Sequence, residues 1–139
     1  MLLDLLDKKT ALVTGAKGLI GKEMVKTLVD HGALVIGIDK DDTLPKMQID
    51  ILVNCIRTRN SGFLIDPHEL DNDLHNEVTE VYRYCLWARR SMRKTLSIIN
   101  LASIQGLLGN NKVLYYNTEV SSPISYTLAK TSIIGLTRY

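Results

Sequence analysis

The chain has 139 residues, 45% hydrophobic and 23% charged, with 17 Lys and Arg against 15 Asp and Glu for a net charge of +2. That balance excludes a disordered chain and makes neither nucleic acid nor a membrane surface an obligatory partner. Two cysteines build no disulfide framework, and Asp4 and Asp7 interrupt the leucine-rich start before it reaches spanning length. The reading is a soluble, cytoplasmic, globular protein, and with no repeat or Pro/Gly-rich linker it is one domain over 1–139.

Thr10 to Thr14 is a short apolar, β-rich run ending at Gly15, which predicts a buried strand. From Ile20 to Asp30 the period turns helical, with Ile20, Met24 and Leu28 on one stripe and His31-Gly32 as the stop. Ala33 to Ile38 is a second buried strand closed by Asp39, and Asp50 to Asn54 a third. A long helix is predicted from about Asn72 to Lys94, its apolar face made by Leu74, Val78, Val81, Cys85 and Met92. Tyr84, Trp87 and Ser91 form a second stripe on that helix, and Arg83, Arg89, Arg90, Arg93 and Lys94 a solvated face. Ser97 to Leu101 is a fourth strand, Gly106 to Ser122 a loop, and Pro123 opens a last helix. Continuously apolar strands alternating with helices predict an α/β fold: a parallel sheet with helices on both faces.

Thr14-Gly15-Ala16-Lys17-Gly18-Leu19-Ile20-Gly21 lies between the first strand and the first helix. A dinucleotide fold needs glycines there so that the backbone turns tightly, approaches a pyrophosphate and offers it the N–H groups of a helix N-terminus. The bland alternative is a plain strand-to-helix turn with packing glycines. Asp39 follows about twenty residues on, where an acidic group accepts hydrogen bonds from an adenosine ribose and repels a 2′-phosphate, favouring NAD over NADP. A solvated loop acid is the alternative, since Asp41 and Asp42 follow closely. Tyr126 and Lys130 stand at i and i+4 on one helix face, and a cation beside a phenol favours the phenolate needed for proton exchange. Ser103, just past a strand end, can donate a hydrogen bond to a reacting oxygen.

With these residues in order, the chain resembles the short-chain dehydrogenase/reductase family. Leu52-Val53-Asn54-Cys55 resembles its Asn-Asn-Ala-Gly strand end, with Cys55, Ile56 and Arg57 in place of the last three residues. Asn100-Leu101-Ala102-Ser103 resembles the serine strand, Tyr126-Thr127-Leu128-Ala129-Lys130 the Tyr-x-x-x-Lys signature, and Asn76, 27 positions before Ser103, the helix asparagine. The surroundings of Asn54-Cys55 and the Tyr/Asn-rich loop are similar to the flagellin- and surface-sugar-modification oxidoreductases. The resemblance implies a Rossmann-like doubly wound sheet and an NAD(P)-dependent oxidoreductase acting on an alcohol or carbonyl, with a sugar or sugar nucleotide as its substrate. It implies Asn76, Ser103, Tyr126 and Lys130 as catalytic. It implies Thr14, Gly15, Lys17, Gly18, Leu19, Ile20, Gly21, Asp39, Asn54, Cys55, Tyr126 and Lys130 as cofactor-binding, Lys130 also holding the nicotinamide ribose and Asn76 a water. It further implies a homo-oligomer through the helices over 72–94 and 123–139, with Tyr84 and Trp87 as anchors.

Two departures stand beside it. Too few residues separate Asp39 from Ile51 for the family's third strand and its helix, and the sequence stops at Tyr139, inside or just after the signature helix. The expected sheet is therefore truncated to four strands, with the first between the second and third and both edges open. This is a fragment or shortened form, or partners cover the edges. The rival function is a non-catalytic nucleotide-binding or assembly module. His31, His68 and His75 lack metal-ligand spacing, so no metal is expected.

Overall fold

A computed structural model describes residues 5–58, 65–118, 120 and 122–139, with side chains at 92–96 excepted. The expectations placed on the Met92, Arg93 and Lys94 side chains lie outside it.

Four strands, β1 (Thr10–Thr14), β2 (Leu34–Ile38), β3 (Ile49–Asn54) and β4 (Met92–Asn100), form one parallel sheet in the order β2-β1-β3-β4. The most continuously apolar runs take the centre: every residue of β1 and β3 is buried, with Leu12 opposite Leu52 and Val13 opposite Val53. Among the described residues no strand pairs beyond the edges β2 and β4, and each shows an exposed aliphatic side chain, Leu34 and Ile99. Asp39 to Gln48 carries no helix or strand, as its shortness predicts.

Alternate residues of the central strands feed two cores, because successive side chains point to opposite faces. On one face Ala11, Val13, Ile51 and Val53 pack with Met24, Val25 and Leu28 of α1 (Leu19–Asp30). On the other, Leu12, Ile38, Ile49 and Leu52 pack with Tyr84, Cys85, Trp87 and Ala88 of α3 (Glu80–Ser91). Tyr84 and Trp87, predicted on a stripe away from the core, are thus half-buried against it. Ile20 departs from its predicted stripe too: it is exposed, and Gly21 is the buried residue of that first turn.

The chain divides into two compact units, one made of residues up to Ile56 together with Arg83–Leu101, the other of Arg57–Tyr82 and Ala102–Tyr139. The first holds the sheet. The second holds α2 (Pro67–Leu74), a π turn (His75–Thr79), α4 (Gln105–Leu108), a 3-10 turn (Lys112–Tyr115) and α5 (Ile124–Arg138). Asp66 starts α2 by accepting the His68 N–H at 2.8 Å, with Pro67 in the first turn. This cap sets the true helix start at Pro67, ahead of the predicted Asn72, and the strand β4 begins at Met92, inside the helix predicted to run to Lys94. Buried Ser125 donates to buried Asp73 at 2.5 Å, fastening α5 to α2.

The segment read as loop is organised around Gln105. Its amide donates to the Tyr115 hydroxyl at 2.9 Å and accepts from the Ser122 hydroxyl at 2.8 Å, while Asn110 donates to the Ser122 carbonyl. Pro123 is the N-cap of α5, one position before the predicted first turn.

Candidate functional site

In the sheet unit, Gly15 takes φ +66°, and a Cβ there would lie 2.8 Å from the Cys55 carbonyl oxygen. A Cβ on Gly21 would lie 2.1 Å from the Gly15 oxygen, so only glycine lets α1 close against the turn. The Gly18 N–H donates to the Gly15 carbonyl at 3.1 Å, and Gly18 caps α1 without any side-chain acceptor for the helix N–H groups. The turn is therefore a bare, positive helix terminus of the kind that receives a phosphate. Lys17, Gly18, Leu19 and Ile20 are all exposed along it.

Asp39 shapes this turn. Its Oδ2 accepts the Lys17 N–H and its Oδ1 the Lys40 N–H, each at 2.9 Å. The Lys40 N–H, helped by that of Lys17 and by the Lys17 charge, holds the carboxyl below its ordinary range against the opposing effect of burial. It is an anion at neutral pH. Gly37, a residue the sequence reading passed over, belongs to the same device: a Cβ there would meet the Ala16 Cβ at 2.8 Å.

At the strand ends, Thr14 donates to Asn54 Oδ1 at 3.1 Å and Asn54 Nδ2 donates to Asn100 Oδ1 at 2.8 Å. The Cys55 N–H bonds the Thr14 carbonyl and the Leu101 N–H the Asn54 carbonyl. Asn54 and Thr14 are buried, and their side chains hold the strand ends together rather than face outward. Asn100, part of the serine-strand motif, shows this contact with Asn54 only once β3 and β4 are paired.

In the helical unit, Tyr126 and Lys130 project from α5, with the Lys130 Nζ 5.5 Å from the Tyr126 ring centroid. The Arg57 guanidinium sits over the same ring at 4.6 Å. Lys130 is buried and pairs with the buried carboxylate of Glu77 at 3.4 Å, while Glu77 Oε1 accepts the Thr58 N–H at 2.8 Å. Burial raises the Glu77 carboxyl above its ordinary range, although Lys130, the Thr58 N–H and Arg57 pull the other way. Gly106 fixes Lys130 from behind: a Cβ there would lie 2.7 Å from the Lys130 carbonyl carbon, and Thr131 donates to the Gly106 carbonyl.

Ser103 Oγ accepts the Gln105 N–H at 3.2 Å, which leaves its own proton for another acceptor. Asn76, expected to hold a water linked to Lys130, is half-buried, and the carboxylate paired with the ammonium is that of its neighbour Glu77. Both residues lie in the π turn at His75–Thr79, where Glu77 is the buried one. Glu77 and Gly106 are residues of this cluster that the motifs did not show, and Arg57 appeared in them only as a departure from the strand-end pattern. Among the described residues no three His, Cys, Asp or Glu could hold a metal, and no helix is long and apolar enough to cross a membrane.

A parallel sheet with helices on both faces and a glycine turn feeding the first of them define an α/β protein of the Rossmann-like class. The NAD dependent epimerase/dehydratase family matches residues 11–111, and the chain belongs to that family. It is also similar to a 3-oxoacyl-(acyl-carrier-protein) reductase of Vibrio harveyi, with 27% identity over 96% of this chain and 66% of that protein. Its fold is that of a short chain dehydrogenase of Leptospira borgpetersenii solved with bound NAD+, at TM-score 0.80 and 21% identity over 96% of this chain and 65% of that one. A short-chain dehydrogenase/reductase of Mycobacterium marinum gives TM-score 0.79 and 22% identity over 98% and 69% of the two chains. The chain thus spans just under two thirds of the length of the reductase and of the Leptospira structure. These likenesses support the short-chain dehydrogenase/reductase family that the motifs pointed to.

Proposed function

We propose that residues 1–139 act as one NAD(P)-binding domain of a cytoplasmic short-chain oxidoreductase that interconverts a hydroxyl and a carbonyl, with a sugar or sugar nucleotide as substrate. The observation that carries the reading is the pairing of Tyr126 with Lys130 on α5, in a chain whose glycine turn tolerates no Cβ at Gly15 or Gly21. That cradle fits a dinucleotide: Gly15, Gly18 and Gly21 admit the pyrophosphate against the start of α1, and anionic Asp39 accepts from the adenosine ribose, favouring NAD over NADP. Lys17, Leu19, Ile20, Asn54 and Cys55 complete the same binding set, with Thr14 and Asn54 holding the strand ends.

When bound, the nicotinamide supplies or takes up hydride. The chain does the rest. Tyr126 exchanges a proton with the substrate oxygen through its phenol, and Ser103 donates its free hydroxyl proton to that oxygen. Lys130, aimed by Glu77 and backed by Gly106, stands beside the phenol and holds the nicotinamide ribose; Asn76 orders a water near it. Self-association through the helices over 72–94 and 123–139 belongs to the same proposal, and sedimentation over a concentration series tests it.

The test of function is NADH absorbance with a panel of alcohols, ketones and nucleotide sugars, on wild type and Tyr126→Phe. Turnover that depends on Tyr126 supports the reading. Bound NAD without turnover on any substrate favours the rival, a non-catalytic nucleotide-binding module.

A further inference from the structure

The two cations beside Tyr126 differ in what offsets them. Lys130 is buried with the Glu77 carboxylate 3.4 Å away, so that pair presents little net charge. Arg57 is exposed and acts on Glu77 only through space: among the described residues no carboxylate lies within ion-pair distance of its guanidinium. Its guanidinium is held over the Tyr126 ring, 4.6 Å from the centroid. A guanidinium resting on an aromatic face keeps its N–H edge free in its own plane, and that edge is a fork matched to a carboxylate or a phosphate. The position itself is unusual: Arg57 stands where the resembled Asn-Asn-Ala-Gly strand end has glycine, so a charged side chain has been placed against the phenol where none is called for.

We propose that Arg57 is a specificity-determining residue that seats an anionic group of the substrate, so that the chain selects hydroxyl or carbonyl compounds bearing a carboxylate or phosphate near the reacting carbon. The inference rests on Tyr126 being the residue at which the substrate oxygen reacts. A neutral substrate leaves the Arg57 edge to water and gains nothing from it. An anionic one exchanges that water for a charge-assisted, two-point contact that also fixes its orientation over the phenol.

Binding to the cofactor-free chain tests this through the side-chain Nε–H signal of Arg57, assigned by its loss in Arg57→Gln. The probes are two charge pairs of similar shape: pyruvate with pyruvamide, and glycerol 3-phosphate with glycerol. The pairs separate carboxylate from phosphate recognition. The expected result is a saturable shift with at least one anion, about tenfold tighter than its neutral counterpart, the preference vanishing in Arg57→Gln and only partly kept in Arg57→Lys. Arg138→Gln, a charge change at the far end of α5, leaves it intact. Equal binding within both pairs, no saturable shift, or a preference that survives Arg57→Gln overturns the proposal. Anion capture by the glycine turn would be insensitive to Arg57. Because Tyr126→Phe keeps the ring beneath Arg57, an anion preference in a chain with no turnover sinks the oxidoreductase reading alone, and turnover without charge preference sinks the Arg57 assignment alone.

Discussion

The Glu77 carboxylate lies 3.4 Å from the Lys130 ammonium, and both side chains are buried. Each charge is tolerable there because of the other. Lys130→Met therefore strands a buried carboxylate, and Glu77→Ala a buried ammonium; breaking such a pair from one side costs about 3–5 kcal/mol. The double variant Glu77→Gln, Lys130→Met recovers most of that loss in chemical denaturation. Single variants as stable as wild type would refute the pair's structural weight.

The same carboxyl gives a pH signature. Burial holds Glu77 above its ordinary value of 4.5, so the folded chain binds its proton at a higher pH than the unfolded chain does. On this group's account, stability rises as pH falls through the folded value toward 4.5, and above the folded value its ionised form is a standing cost. Asp39 has the opposite sign: its lowered carboxyl contributes stability above the unfolded value near 3.8, lost as pH falls through the folded one. Unfolding curves across pH for wild type and Glu77→Gln should differ in slope above pH 4.5, and those for wild type and Asp39→Asn only below about pH 4.

Gly21→Ala places a Cβ 2.1 Å from the Gly15 carbonyl oxygen, backbone against backbone, so the turn itself must open. Calorimetric titration with NAD should show binding lost in this variant while the circular dichroism of the sheet and helices persists. Unchanged affinity would remove the turn from the binding site.

Asp39 bonds two backbone N–H groups of the turn, so its replacement acts twice. Asp39→Ala should weaken NAD and erase the preference over NADP. Equal affinities for the two cofactors in wild type would end the argument from the carboxylate charge.

β1 and β3 were legible because burial on both faces leaves a continuous apolar run, and the glycine turn because no other residue type fits it; β2, predicted as a buried strand, lies at the sheet edge with only Ile38 of Leu34–Ile38 buried. What escaped the sequence depends on contacts between segments far apart in it. Glu77 looks like any helix acid until α5 brings Lys130 to it. Trp87 reads as an outward anchor on a helical wheel, yet it closes the core over Leu12 and Leu52. Gln105 gives no periodic signal, since its task is to tie Tyr115 to Ser122 within a stretch of little regular structure.

The central claim is that Tyr126 is the proton donor and acceptor of a nicotinamide-dependent reaction, and NADH absorbance on wild type and Tyr126→Phe addresses it directly. The account predicts a loss of about two to four orders of magnitude in rate with cofactor affinity retained. Ser103→Ala loses less, about 3 kcal/mol of transition-state stabilisation. Turnover that survives in Tyr126→Phe would contradict it.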